Sequence, residues 1–116
     1  MGPPPVLMIH GAGGGAWEWN VWRRICAAGG HEVLTPTLEP ASGGLEATTL
    51  DDYLAQLRAQ WPGRPPLLIG ASLGGLLALA LAAERECAAL VLINPVPPRP
   101  EVAQLPRVPP PPARRL

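Results

Sequence analysis

Residues 66–85, PLLIGASLGGLLALALAAER, limit the chain more than any other stretch. From Pro65 to Ala83 no side chain is charged, and hydropathy alone would suggest a membrane span. The glycines argue otherwise. Gly70, Gly74 and Gly75 cluster about Ser72, and the apolar residues before them are few. A short buried strand, a tight turn and a buried helix account for the run. The turn, GASLG, has the G-x-S-x-G spacing that displays a serine at a sharp strand-to-helix reversal.

The rest of the chain repeats the same alternation. Val6 to Ile9 is a continuous apolar run ended by HGAGGG, as in a strand buried on both faces that leads into a glycine-rich loop. In residues 16–30, Trp19, Trp22, Ile25 and Cys26 fall at helical spacing, and Gly29-Gly30 is a stop signal. HEVLTPTL, residues 31–38, is a second strand candidate, with Pro36 at its end or in a loop. Residues 39–48 are loop. Thr49 with Asp52 forms a helix cap signature, and Leu50, Tyr53, Leu54, Leu57 and Trp61 share one apolar face. PLLIG is the third strand, the helix after Ser72 is apolar nearly all round, and AALVLIN, residues 88–94, is a fourth strand. Alternation of this kind predicts an α/β fold, a parallel sheet of about four strands flanked by helices. Beyond Asn94 the sequence is proline-dense and without periodicity, able to form extended polyproline but no packed core.

The bulk properties exclude several classes. A chain of 116 residues holds one small domain. Net charge is zero and only 16% of residues are charged. A basic pair, Arg114 and Arg115, lies among prolines, and no basic stripe with interleaved aromatics runs along the chain, so no nucleic-acid surface is expected. Cys26 and Cys87 are too few and too far apart for a zinc site or a disulfide framework. They read as buried, reduced thiols, which fits a cytoplasmic protein. MGPPPVLMIHG lacks the basic start of a secretory signal.

Ser72 is the candidate nucleophile. A strained backbone is required to raise its oxygen, and side chains at Gly70 or Gly74 would collide with neighbouring backbone in so tight a reversal. The helix that starts at Leu73 points its first amides beside the hydroxyl, where they can stabilise an oxyanion. A second amide must come from another loop. HGAGGG is suited to this, with Ala12 N–H the first choice and Gly13 the second. His10 is expected to hold this loop in shape and not to act in catalysis. A rival reading takes Gly11-x-Gly13-x-x-Ala16 as a dinucleotide fingerprint, with Glu32 and Glu39 near the spacing of a ribose-binding acid. It leaves the Ser72 turn unexplained.

Taken together, VLMIHGAGGGAWEW, LLIGASLGG and LVLINPVPP resemble the N-terminal part of an α/β-hydrolase-fold protein, similar in particular to the plant methylesterase and hydroxynitrile lyase branch and its bacterial relatives. The resemblance covers residues 5–98. It implies an esterase-like serine hydrolase that cleaves esters, thioesters or related acyl compounds through an acyl-serine. By that resemblance Ser72 is the nucleophile, and Leu73 and Ala12 supply the oxyanion amides. Trp17 and Trp19 match positions near the site entrance or under the first loop. Ala71 departs from the branch, which often carries histidine there. The implied partner is a small ester-like molecule. No metal, organic cofactor, nucleic acid or membrane is implied, and no oligomeric state follows.

One departure is larger. The family's triad runs serine, then acid, then histidine. After Ser72 this chain has neither aspartate nor histidine; His10 and His31 both precede it. Its later carboxylates are Glu84, Glu86 and Glu101, and only Glu101 is placed where a vestigial triad acid could fall. The sequence therefore predicts a C-terminally truncated member. Residues 1–98 form a partial domain, residues 99–116 a disordered proline-rich tail, and hydrolysis is absent or nearly so. The fourth strand is left as an unpaired edge. The alternative within the same fold is a non-catalytic remnant that binds a small ligand.

Overall fold

The computed structural model describes residues 2–44 and 47–94. Four strands alternate with helices: β1 (Val6–Ile9), a 3-10 turn (Ala16–Trp19), α1 (Asn20–Ala28), β2 (Val33–Leu34), α2 (Leu50–Ala59), β3 (Leu67–Ala71), α3 (Leu73–Glu84) and β4 (Ala89–Ile93). All strand pairs are parallel, in the order β2-β1-β3-β4. The expected parallel α/β sheet of four strands is what forms. Glu101 and the tail from 99 to 116 lie outside the described residues.

β1 is the centre of the molecule, and its four residues are fully buried. Alternation along the strand divides them. Leu7 and Ile9 join Leu54, Leu57, Leu68, Leu77, Ala78 and Leu81, a core roofed by α2 and α3. Val6 and Met8 face the opposite layer with Trp19 and Ile69. A strand covered on both faces has no polar side to show, which is why its sequence reads as an unbroken apolar run.

The charge-free stretch 65–83 resolves into β3, a turn at Ser72 and all but the last residue of α3. No helix of the described residues is long and apolar enough to cross a membrane. α3 is buried on one side and not all round as expected: Gly74, Gly75, Leu77, Ala78 and Leu81 are buried, whereas Leu79 is 41% exposed.

α2 starts at a reciprocal cap. Thr49 Oγ1 accepts the Asp52 amide at 3.2 Å, and Asp52 Oδ2 accepts the Thr49 amide at 2.7 Å. Its buried face is carried by Leu54 and Leu57 with Tyr53 and Trp61 beside them, while Leu50 remains 45% exposed. A surface ion pair, Arg58 to Glu84 at 2.9 Å, links α2 to α3. Thr49→Ala should cost about 1 kcal/mol, read as a lowered urea midpoint with unchanged m-value.

Several expectations are corrected. The second strand is only Val33–Leu34, not 31–38. Pro36 has no N–H to give a ladder, and the Leu38 amide is claimed by His10. The apolar stripe of the first helix is largely unburied: Trp19 is core, but Trp22 and Ile25 are 42% and 68% exposed. Trp19 ends a 3-10 turn, whose three-residue period is out of phase with the α-helix that follows. Trp22 instead meets Trp19 edge to face at 5.8 Å. Both cysteines are free thiols, but half-buried, not buried. The fourth strand agrees with its reading as an apolar edge: among the described residues β4 pairs with β3 alone, and Val91 is 39% and Leu92 36% exposed.

Candidate functional site

Strand order fixes where a site can form. The chain leaves β1 toward β2 on one side and leaves β3 toward β4 on the other. The loops after β1 and β3 therefore diverge from adjacent carboxyl ends, which opens a crevice at the point of reversal. Ile9 pairs with Gly70 in the register. Two residues further on, Gly11 lies against Ser72: a Cβ on Gly11 would be 3.1 Å from Ser72 Cβ and 3.7 Å from its Oγ.

Ser72 sits at φ 55°, ψ −121°. For a residue with a Cβ this is strained, by about 1–3 kcal/mol, and the surroundings enforce it. The Ser72 amide donates to Ile93 O at 2.9 Å, and its carbonyl accepts the Gly75 amide at 2.9 Å. Close packing does the rest. A Cβ on Gly70 would strike Gly74 O and come within 2.8 Å of Gly75 Cα. One on Gly74 would strike Ile9 O and lie 2.6 Å from His10 O. Ser72 itself is exposed, and its hydroxyl makes no cap hydrogen bond to its helix.

The opposing loop is held by His10, which is 4% exposed. Its Nε2 accepts the Leu38 amide at 2.9 Å. Nε2 therefore carries no proton, and Nδ1 is the protonated nitrogen, donating to Gly11 O at 2.7 Å. Gly11 O also accepts the Gly14 amide at 3.1 Å, closing a turn in which Gly13 takes φ 74°. Beyond the turn, the Gly15 amide donates to Glu18 Oε2 and the Ala16 amide to Thr37 Oγ1, each at 3.2 Å. The amides of Ala12 and Gly13 have no acceptor among the described residues. Nor has that of Leu73, the first residue of α3, as expected of a helix start.

Ala12, Gly13 and Leu73 line one cavity of about 230 Å³ with His10, Gly11, Gly14, Leu38, Pro40 and Tyr53. The sequence pointed to the first three; Ser72, the expected nucleophile, is not among the lining residues and meets the cavity only through its neighbours Gly11 and Leu73. The sequence missed Leu38, Pro40 and Tyr53. The signal for Tyr53 is faint: one hydroxyl on an otherwise apolar helix face. Trp17 is 68% exposed and lies beside Gly15, whereas Trp19 is core. His31 is remote from the site, its Nδ1 donating at 2.7 Å to Pro4 O, before the start of β1. The dinucleotide reading loses its geometric basis, because the Gly15 and Ala16 amides that should receive a pyrophosphate already have acceptors.

The family model for the alpha/beta hydrolase family matches residues 6–116. A probable esterase from rice, PIR7A of Oryza sativa subsp. indica, is 38% identical over 89 residues, which is 68% of this chain and 33% of that protein. Norfluorocurarine synthase 1 from Strychnos is 31% identical over 79 residues, covering 60% of this chain and 29% of its own length. The chain thus spans about a third of the length of the curated relatives it matches. Among solved structures, a pyrethroid hydrolase from Sphingobium faniae JZ-2 superposes with TM-score 0.65 at 27% identity, over 91% of this chain and 47% of that one. The Arabidopsis methylesterase MES16 reaches TM-score 0.67 at 20% identity, over 84% of this chain and 46% of its own, a likeness of fold.

Proposed function

The chain belongs to the alpha/beta hydrolase family, and from that membership we propose that its crevice is the acyl-binding half of a serine esterase site. Ser72 is the nucleophile in this proposal. Its Oγ attacks the carbonyl carbon of a small ester, and the resulting oxyanion is held by the amides of Leu73 and Ala12, with Gly13 as the alternative donor. The observation that carries the proposal is the strained, exposed Ser72 pressed against Gly11, where two strand ends meet. Amides that already lack acceptors need no reorganisation to receive the oxyanion, and removing one such donor costs on the order of 10²–10³ in rate.

The hydroxyl proton needs a base, and among the described residues neither histidine is placed to act as one. Both His10 nitrogens are committed, and His31 is tied to Pro4. By itself the polypeptide is therefore proposed to turn over esters negligibly, since an unassisted serine is a weak nucleophile.

Two measurements test this. Hydrolysis of p-nitrophenyl acetate should proceed at the same background rate with the wild-type chain and with Ser72→Ala; robust turnover that depends on Ser72 overturns the absence of a base. Prolonged exposure to a fluorophosphonate should form a phosphorus–oxygen bond at Ser72 with release of fluoride. Ser42 should stay unmodified as the internal control. Equal modification of both serines would sink the nucleophile assignment, and modification of neither would favour the non-catalytic remnant that binds a small ligand.

A further inference from the structure

We infer that Tyr53 sets the ligand preference of the cavity, selecting uncharged esters that carry a second hydrogen-bond acceptor, such as an ether oxygen, away from the reacting carbonyl. This rests on the esterase reading of the Ser72 site. The cavity walls are the 10–14 backbone and the side chains of Leu38, Pro40, Leu73, Tyr53 and His10. None of these is a charged group, because the Leu38 amide keeps His10 Nε2 unprotonated. A carboxylate or ammonium group entering here would lose hydration and gain no counter-ion.

Two side chains in the wall bear polar atoms. His10 has spent both nitrogens on Leu38 and Gly11. The Tyr53 hydroxyl has no hydrogen-bond partner among the described residues. Tyr53 lines the cavity while packing half-buried against the Leu54–Leu57 core, and a hydroxyl on a side chain packed in this way can meet a ligand at little cost in side-chain freedom. A site that displaces water from such a donor favours the ligand that returns an acceptor and discriminates against the analogue that does not. Tyr53 is thus a specificity-determining residue, separate from the amides that hold the reacting carbonyl.

The test uses ¹⁵N-labelled Ser72→Ala chain, with and without Tyr53→Phe, which keeps the ring packing. Each is titrated with two matched pairs: methyl 4-methoxybutanoate against methyl hexanoate, and methyl 3-methoxypropanoate against methyl pentanoate. Each pair differs by an ether oxygen in place of a methylene. The ether-to-methylene affinity ratio should be about two- to ten-fold higher with Tyr53 than with phenylalanine in at least one pair, as one hydrogen bond allows. Equal ratios in both chains for both pairs, with the Ala12, Gly13 or Leu73 amides still shifting, would overturn the role of Tyr53 alone. If no ester shifts those amides, the reading of the Ser72 site falls, and this inference with it.

Discussion

Gly74→Ala is expected to prevent the chain from reaching its native packing. Two effects oppose each other at this position. Alanine is the better helix former, by about 1 kcal/mol, so propensity alone predicts a more stable α3. Sterics decide the other way. The added methyl would strike Ile9 O and lie 2.6 Å from His10 O, both backbone atoms at the end of the central strand. Neither atom can swing aside as a side-chain tip could. α3 must lift off the sheet, and it carries Leu77, Ala78 and Leu81 of the main core. Overpacking of this kind costs about 1–3 kcal/mol where side chains can adjust, and more where they cannot. Against the marginal stability of a small domain, about 5 kcal/mol at the low end, that is most of the reserve. Far-UV circular dichroism and urea titration should show a chain largely unfolded at room temperature. Gly63→Ala, where a Cβ meets nothing within 4 Å, is the matched control and should change little. A Gly74→Ala chain with the wild-type urea midpoint would refute the close approach of α3 to β1.

His10→Phe should have the next largest effect. The substitution keeps an aromatic ring in the same buried place and deletes both hydrogen bonds. Gly11 O retains the Gly14 amide. The Leu38 amide, at a residue only 9% exposed, is left with no acceptor. An orphaned buried donor costs about 1–3 kcal/mol. The damage extends beyond stability, because this hydrogen bond ties the 37–40 segment to the β1 loop, and Leu38 and Pro40 form one wall of the cavity. Hydrogen exchange should show the Leu38 amide losing its protection at denaturant concentrations where the β1–β3 ladder keeps its own. Unchanged protection at Leu38 would mean that the His10 bridge holds nothing.

These two positions show what the sequence could and could not say. The Ser72 turn was legible because its constraints are local: a strand, a reversal and a helix within a few residues demand glycine on either side. The role of His10 was also legible, since a histidine between a strand and a glycine loop has few other uses. Its partner was not. Nothing about Leu38 announces that its amide will leave β2 for an imidazole, so β2 was read too long. The order of the strands was equally hidden, because strict alternation fits more than one sheet. Burial of α1 was overestimated for a related reason. Periodicity records which residues share a face, and says nothing about whether a neighbour arrives to cover it. The same 3.6-residue period places Tyr53 in the core, and only the tertiary arrangement makes it part of a cavity wall as well.

The hydrogen bond from Ser72 to Ile93 sets a timetable for synthesis. A ribosome that has extruded β1, β3 and α3 has every residue proposed for chemistry in hand, yet the elbow still lacks the carbonyl that clamps it. Only when β4 emerges and docks is the serine locked upright. A released chain ending just before residue 89 should therefore hold a pliant turn, and one that includes Ile93 a rigid one.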